Sequence, residues 1–258
     1  MNWFLKALLV GTLIGLGISV IANTCTTVFL HRALSHRALT LRQPATFIFR
    51  VLVWLTTGIR PRQWVAVHRK HHAYTDIEGD PHSPVLLGWK KVQMKNVALY
   101  RAAAKDHDMV DKYAKDLPYD AWDRILFNRA YLGLGIGITL LILVFGPVTG
   151  IVAAVVHMNF YLAGSAAVNA IGHHFGRRSY PNEATNLQWL AFLTMGEGLH
   201  NNHHAAPSSP RLSHRRSEID PGWWVVKFLA ITKLARLRFS DVRLSSKAKG
   251  LASSSEAA

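Results

Sequence analysis

The chain has 258 residues, enough for one domain with a sizeable core. Half of them are hydrophobic and 17% are charged, well below the roughly 25% charged of soluble domains, which argues against an ordinary soluble protein. The net charge is +15, and the single cysteine, Cys25, excludes an intrachain disulfide.

The apolar residues are clustered. Ala7 to Leu30 carries no charged residue, and neither does Ala130 to Gly176. A membrane span needs about 20 apolar residues. The first stretch supplies one span, near 5–30. The second supplies two, near 130–146 and 150–170, because Gly146-Pro147 offers a turn between them. A cleaved signal peptide is a poorer reading of the first stretch, which exceeds the signal core of about 7–15 residues. Between the spans, Pro44 to Ile59 reads as an interfacial helix with Arg50 snorkelling to the surface. Gly79-Asp80-Pro81 ends a helix that carries His68 to His72, and residues 90–129 are polar, charged and helix-prone, as in a cap. Leu187 to Leu199 is a second interfacial candidate. Gly222 to Leu237 alternates apolar residues with Lys227, Lys233 and Arg236, as in a surface-lying amphipathic helix. The chain divides into a membrane domain over 1–244 and a small, polar tail over 245–258 expected to be disordered.

Charge sets the orientation. Residues 31–130 carry 17 Lys/Arg against 9 Asp/Glu, and residues 205–258 carry 10 against 4. The positive-inside rule puts both regions in the cytoplasm, with the N-terminus outside. The basic character then reads as topology and attraction to anionic lipid, not as nucleic-acid binding.

Of the 14 histidines, two clusters share the form H-x-x-H-H: His68/His71/His72 and His200/His203/His204. Helical residues three and four apart share a face, so the first and either later histidine can converge on one metal. Adjacent histidines point about 100° apart, so the last two can reach different metals. A third pair, His31/His36, sits about 140° apart on a regular helix. It can serve two metals, or one if the helix end unwinds. Imidazole suits Zn, Cu, Fe and Ni. Eight histidines in three clusters exceed what one ion needs, and two ions are the simpler reading, with His173 as a ninth ligand. Asp76, Asp80 and Glu197 are candidates to accept the second N–H of bound imidazoles, although each also reads as a cap or a solvated charge. His157, inside a span, reads as a satisfied polar group, and His82, His107 and His214 as surface or loop residues. Trp54, Trp64 and Trp189 are candidates for an acyl tunnel, but interface anchors are the better reading.

The motifs His31-Arg-Ala-Leu-Ser-His36, His68-Arg-Lys-His71-His72, Asp80-Pro81-His82 and His200-Asn-Asn-His203-His204, in this order, resemble the membrane fatty-acid desaturase family, especially its stearoyl-CoA (delta-9) branch and bacterial members. The resemblance implies an all-α integral membrane fold with about three transmembrane helices, interfacial helices and a cytoplasmic helical cap over a di-iron site. It implies nine iron ligands, His31, His36, His68, His71, His72, His173, His200, His203 and His204, with Asn169 approaching one iron through water. It implies two ferrous ions, O2 as co-substrate and no catalytic side chain beyond the ligands. Electrons would come from a partner such as a ferredoxin, or cytochrome b5 with its reductase. The implied location is the bacterial inner membrane, with the site on the cytoplasmic side. Three features depart from the family. Only one span precedes the first motif. Ala66-Val67 replaces an Arg-Asp pair that helps hold CoA in the acyl-CoA branch, and Lys90, Lys91 and Lys95 do not align cleanly with another basic CoA contact. No cytochrome b5-like extension is present. The acyl carrier therefore stays open between CoA, lipid and carrier protein. A membrane di-iron hydroxylase would share these motifs. A metal transporter fits less well, because its ligands belong near the midplane, and a metalloprotease lacks its H-E-x-x-H.

Overall fold

The computed structural model describes residues 2–246 and residue 248. Most of the chain is helical. The first helix, α1 (Trp3–Cys25), begins under the side chain of Asn2, which accepts the Leu5 N–H at 2.9 Å. It does not stop at Cys25 but underwinds into a π-helix over Thr26–Ser35. A three-residue strand, β1 (Leu39–Leu41), follows and pairs antiparallel with β2 (Ala235–Leu237), a small departure from an all-helical reading. Then come α2 (Gln43–Thr56), α3 (Pro61–Ala73), α4 (Pro84–Leu87), α5 (Trp89–Ala104) and α6 (His107–Tyr113). The apolar hairpin is α7 (Ala130–Phe145) and α8 (Pro147–Ala170), the latter extended by a 3-10 turn, Ile171–His173. Short helices α9 (Gln188–Leu193) and α10 (His200–Ala205) precede α11 (Pro221–Ile231). Proline opens α3, α8 and α11, where its missing N–H costs nothing.

Helices stand at all three expected span positions. Two apolar runs, Trp3–Ser35 and Pro147–His173, are long enough to cross a membrane, with mean hydropathy 2.2 and 1.6. The third, α7, has 16 residues, about 24 Å at 1.5 Å per residue, shorter than a full span. All three turn large apolar side chains outward, including Leu13 on α1, Leu143 on α7 and Met158 on α8. Such a continuous apolar exterior suits lipid rather than water.

Small residues let these helices touch. A Cβ on Gly11 would lie 2.8 Å from the Thr149 carbonyl, and one on Gly15 would lie 2.6 Å from that of Ala153. Gly11, Gly15, Ser19 and Ala22 recur every three or four residues along one buried face of α1. The pairing order, Gly11 with Thr149, then Gly15 with Ala153, then Ser19 with His157, shows α1 and α8 running parallel. Their C-terminal ends, carrying His31 and His173, therefore emerge on the same side.

Three expectations change. Arg50 on α2 does not snorkel freely: it is clamped by Asp120 at 2.6 and 2.9 Å and by Asp123 at 2.7 Å. The amphipathic helix expected over 222–237 ends at Ile231, because Lys233 turns into a left-handed conformation (φ 60°) and the chain continues as β2. His82 is buried rather than on the surface. Most of the tail expected to be disordered, 247 and 249–258, lies outside the described residues.

Candidate metal centre

The nine histidines form two groups. His31, His36, His68, His72 and His203 place one ring nitrogen each within 4.8 Å of the others, and so do His71, His173, His200 and His204. Donors around one ion at about 2.1 Å stand no more than roughly 4.2 Å apart, close to this spread. Helix geometry explains the division. On α3, His68 and His72, four apart, join the first group while His71 turns to the second. On α10, His200 and His204, four apart, join the second while His203 turns to the first. Each H-x-x-H-H motif thus serves both groups, with the shares reversed.

The spacing-five pair is resolved by the π-helix. The His36 N–H donates to the His31 carbonyl at 3.1 Å, the i→i+5 register that brings residues five apart onto one face. His31 and His36 therefore both enter the first group.

The rings are aimed inward. The Nε2 atoms of His36 and His68 are 2.7 Å apart, those of His72 and His203 2.9 Å, those of His31 and His203 3.0 Å, and those of His200 and His204 3.1 Å. The outer nitrogens of three rings meet carboxylates. His31 Nδ1 is 2.8 Å from Glu197, His71 Nδ1 3.0 Å from Asp80, and His173 Nδ1 2.7 Å from Asp76. An Nδ1–H donated outward leaves Nε2 unprotonated and facing in. The Nε2 atoms of His71 and His173 are buried and have no hydrogen-bond partner. Buried, lone-pair-bearing nitrogens crowded without protein partners are what a bound cation would satisfy. Nine imidazoles and no thiolate suit a first-row transition metal.

Electrostatics agree. Burial, reinforced by neighbouring rings, holds His36, His68, His72, His200, His203 and His204 well below their ordinary range, so they are neutral donors at pH 7. Burial pushes the Glu197 carboxyl up, but His31, Arg32 and Thr27 outweigh it and keep the group below its ordinary value. Asp76 and Asp80 are lowered in the same way, against their burial, by His173 and His71.

The supporting layer was less visible in the sequence. Arg32 is wholly buried, bonding Asp220 and the Pro210 carbonyl, both at 2.8 Å. Gly196 (φ 111°) passes so close that a Cβ there would lie 2.2 Å from Asp220 and 2.8 Å from Arg32, and the turn delivers Glu197 to His31 and Thr27. Ser83 donates to Asp76 at 2.8 Å. Between the ligands of α10, Asn201 accepts the N–H groups of Ser179 and Tyr180 and donates to the Ala184 carbonyl, while Asn202 donates to Glu218. Their adjacency to the histidines within His200-Asn-Asn-His203 was the available signal. His82 packs its ring 4.7 Å from His71, and its burial pushes it down to about 3. Its membership of Asp80-Pro81-His82 could have marked it. His157 is satisfied, with Ser19 Oγ at 3.0 Å and the Thr56 carbonyl at 2.8 Å. His214 meets the Tyr180 hydroxyl at 3.0 Å, and His107 opens α6 on the surface.

A cavity of about 790 Å³ runs from between α1, α7 and α8 to both groups, touching His31, His68, His200, Glu197 and Asn169. Asn169 thus stands on the wall of the same cavity as His31, His68 and His200. Of the three tryptophans, Trp64 lines the cavity and stacks on His68 at 4.9 Å. Trp54 is buried and donates to the Arg129 carbonyl, and Trp189 is half exposed.

A helical membrane fold with a histidine-lined metal centre at the end of an apolar cavity defines an oxidoreductase class that acts on hydrocarbon chains. The sequence profile of the fatty acid desaturase family matches residues 3–218. The chain is 29% identical over 222 residues to the sn-1 stearoyl-lipid 9-desaturase of Synechocystis sp., covering 84% of this chain and 67% of that one. It is 32% identical over 213 residues to the sn-2 palmitoyl-lipid 9-desaturase of Nostoc sp., covering 80% and 73%. It is also 32% identical over 224 residues to the acyl-CoA C20 Delta5-desaturase of Anemone leveillei, covering 81% and 67%. The chain belongs to the fatty acid desaturase family and is a fatty acyl desaturase, an enzyme that introduces a double bond into an acyl chain.

Proposed function

We propose that this enzyme places a cis double bond at the delta-9 position of a long saturated chain, carried as acyl-lipid or acyl-CoA, at two irons held by the two histidine groups. The observation that carries this reading is the apolar cavity that ends on both groups. Five histidines would hold one iron and four the other, with Asn169 near the second through water. The bound irons would supply the O2 chemistry. Two hydrogens leave adjacent carbons, and with two protons and two electrons from an external donor they reduce O2 to two waters. The chain's own residues do the rest. Glu197, Asp80 and Asp76 hold the proton on Nδ1 of His31, His71 and His173 and so fix the inward tautomer. The cavity wall excludes water and presents one stretch of the acyl chain to the centre. Relatives named for position 9 support that regiochemistry.

The basic segments flanking the spans support a bacterial inner-membrane location with the centre facing the cytoplasm. The same positive surface would steer an acidic donor, such as a ferredoxin or cytochrome b5.

The test is expression in a host lacking the corresponding double bonds, with lipid analysis by gas chromatography–mass spectrometry and His203→Ala as control. A new delta-9 monounsaturated acid, absent in the control and in oxygen-free growth, is expected. A hydroxylated acid instead would contradict desaturation while keeping the metal centre.

A further inference from the structure

The metal centre has a second face, away from the cavity. The cavity reaches the centre through His31, His68 and His200, and none of His36, His72 and His204 lines it. Those three are the partly exposed rings of the nine, the other six being buried. They form one row. The rings of His36 and His72 lie 4.6 Å apart, and His72 stacks on His204 at 4.5 Å. His36 and His72 belong to the first group and His204 to the second, so this edge touches both.

After β2 the chain returns to this edge. The Arg238 N–H donates to the carbonyl of Ala38, just past His36, at 2.9 Å. The Ser245 N–H donates to the carbonyl of Ala205, just past His204, at 2.8 Å. Residues 238–245 thus run from one end of the row to the other, and the charges they expose are mostly positive. Arg238 and Arg243 lie over the Phe239 ring, at 5.1 and 4.0 Å. Among the described residues Arg238 has no carboxylate partner, and Arg243 has Asp241 at 3.5 Å. Beside His36, Arg37 and Arg69 share one carboxylate, that of Asp116. Four guanidinium groups against two carboxylates leave the rim of the edge positive.

We infer that a small acidic one-electron carrier protein docks on this edge, over the row His36–His72–His204, with Arg37, Arg238 and Arg243 as the rim that receives it. The inference rests on the proposed function, which requires electrons from outside, and it names where they enter. Electron transfer through protein slows steeply with distance, so a donor must approach the imidazoles themselves. The cavity side is taken by the acyl chain, whereas the exposed row faces outward. Because the row joins both groups, a donor in one seat serves either metal. Each docking passes one electron to the centre and leaves one carrier oxidised. Two carriers therefore serve each O2 that is reduced with two substrate hydrogens and two protons. A positive rim speeds encounter with an acidic partner, and salt weakens the effect.

The experiment uses the full-length enzyme in nanodiscs, with a reduced two-iron, two-sulfur ferredoxin as the acidic probe. Anaerobic stopped-flow absorbance reads how fast the oxidised enzyme takes electrons from it. Dithionite, a small reductant that needs no docking face, is the reference. The double variant Arg238→Glu/Arg243→Glu should slow uptake from ferredoxin roughly tenfold at low salt, and less as salt rises. Its iron content should be unchanged and its uptake from dithionite should change far less. Arg238→Gln/Arg243→Gln should slow the ferredoxin reaction by a smaller factor, and that pair decides where the reversed pair loses iron. The same reversal at Lys90 and Lys91, exposed at the start of α5, should alter the ferredoxin rate less than about twofold. Equal slowing at both places would mean that net charge alone acts, and would overturn the proposal. So would an unaltered ferredoxin rate in the arginine variants, or equal slowing with dithionite. Ferredoxin uptake through this edge without a delta-9 product would keep the docking surface and remove the delta-9 reading, and a protein without iron would remove both.

Discussion

In the spanning layer, α1, α7 and α8 meet through small residues and few polar contacts. At the histidine-bearing end, the π-helix, α2 and α3 are joined by charge to α6 and the loops around it and to the start of α11. Gly11 and Gly15 let α1 lie against α8 almost backbone to backbone, whereas Arg32–Asp220 and Arg69–Asp116 cross-link distant segments of the cap. Lipid supplies no hydrophobic drive between apolar helices, so close packing must do it. Where the chain leaves the bilayer, it needs a rigid polar frame to hold nine imidazoles in place. The two regions should therefore fail differently when altered.

The largest stability loss should come from the cap. Arg32→Met leaves Asp220 buried without its cation, at a cost of about 3–5 kcal/mol. The detergent-solubilised protein should then melt far earlier, and the Gly196 turn that carries Glu197 should loosen. An unaltered melting temperature would mean that this pair is not structural. The carboxylates beneath the rings come next. Glu197→Gln, Asp80→Asn or Asp76→Asn should weaken metal binding by roughly 10–100-fold, while thermal stability of the metal-free protein changes less. Competition against a chelator measures this directly.

The spanning layer should respond to volume instead. Gly15→Val pushes α1 off α8, where a Cβ already meets Ala153 at 2.6 Å. The expected cost is about 1–3 kcal/mol, read as a lower melting temperature that salt does not change. Arg37→Gln, by contrast, removes an exposed pair to Asp116 and should cost less than about 1 kcal/mol, more at low salt. A salt-sensitive Gly15 variant would erase the distinction between the regions.

Acid should single out the cap. Six histidines there have folded values well below the ordinary one. Above pH of about 6.5 neither state binds these protons, so they leave stability unaffected. Below it, the unfolded chain takes them up and the folded chain does not, so the metal-free protein loses stability as pH falls. Each such histidine contributes about 1.4 kcal/mol per pH unit until the folded value is reached. Melting temperatures at pH 7.5 and 5.5 check the sign.

The histidine groups were legible because i, i+3 and i+4 spacing is a local rule that the tertiary fold left intact. Even the exchange of His71 and His203 between groups follows from adjacent residues diverging on a helix. The fate of His31 and His36 was not legible: the end of the π-helix is held by β1–β2 and by Arg32, contacts that reach from 188 residues apart in sequence (Arg32–Asp220) to 198 (Leu39–Leu237). Burial of His82 and the anchoring by Asn201 and Asn202 depend on loops whose paths no periodicity announces. The apolar helices were visible, and α7 ends where Gly146 turns (φ 84°), the break that Gly146-Pro147 offered in the sequence.

The most direct test of the account is the metal content of purified enzyme, measured for the intact chain, His72→Ala and His204→Ala. Two irons per intact chain, with each variant losing iron chiefly from its own group and losing desaturation, is the predicted result. One tightly bound zinc per chain, with no activity dependent on iron, would contradict it.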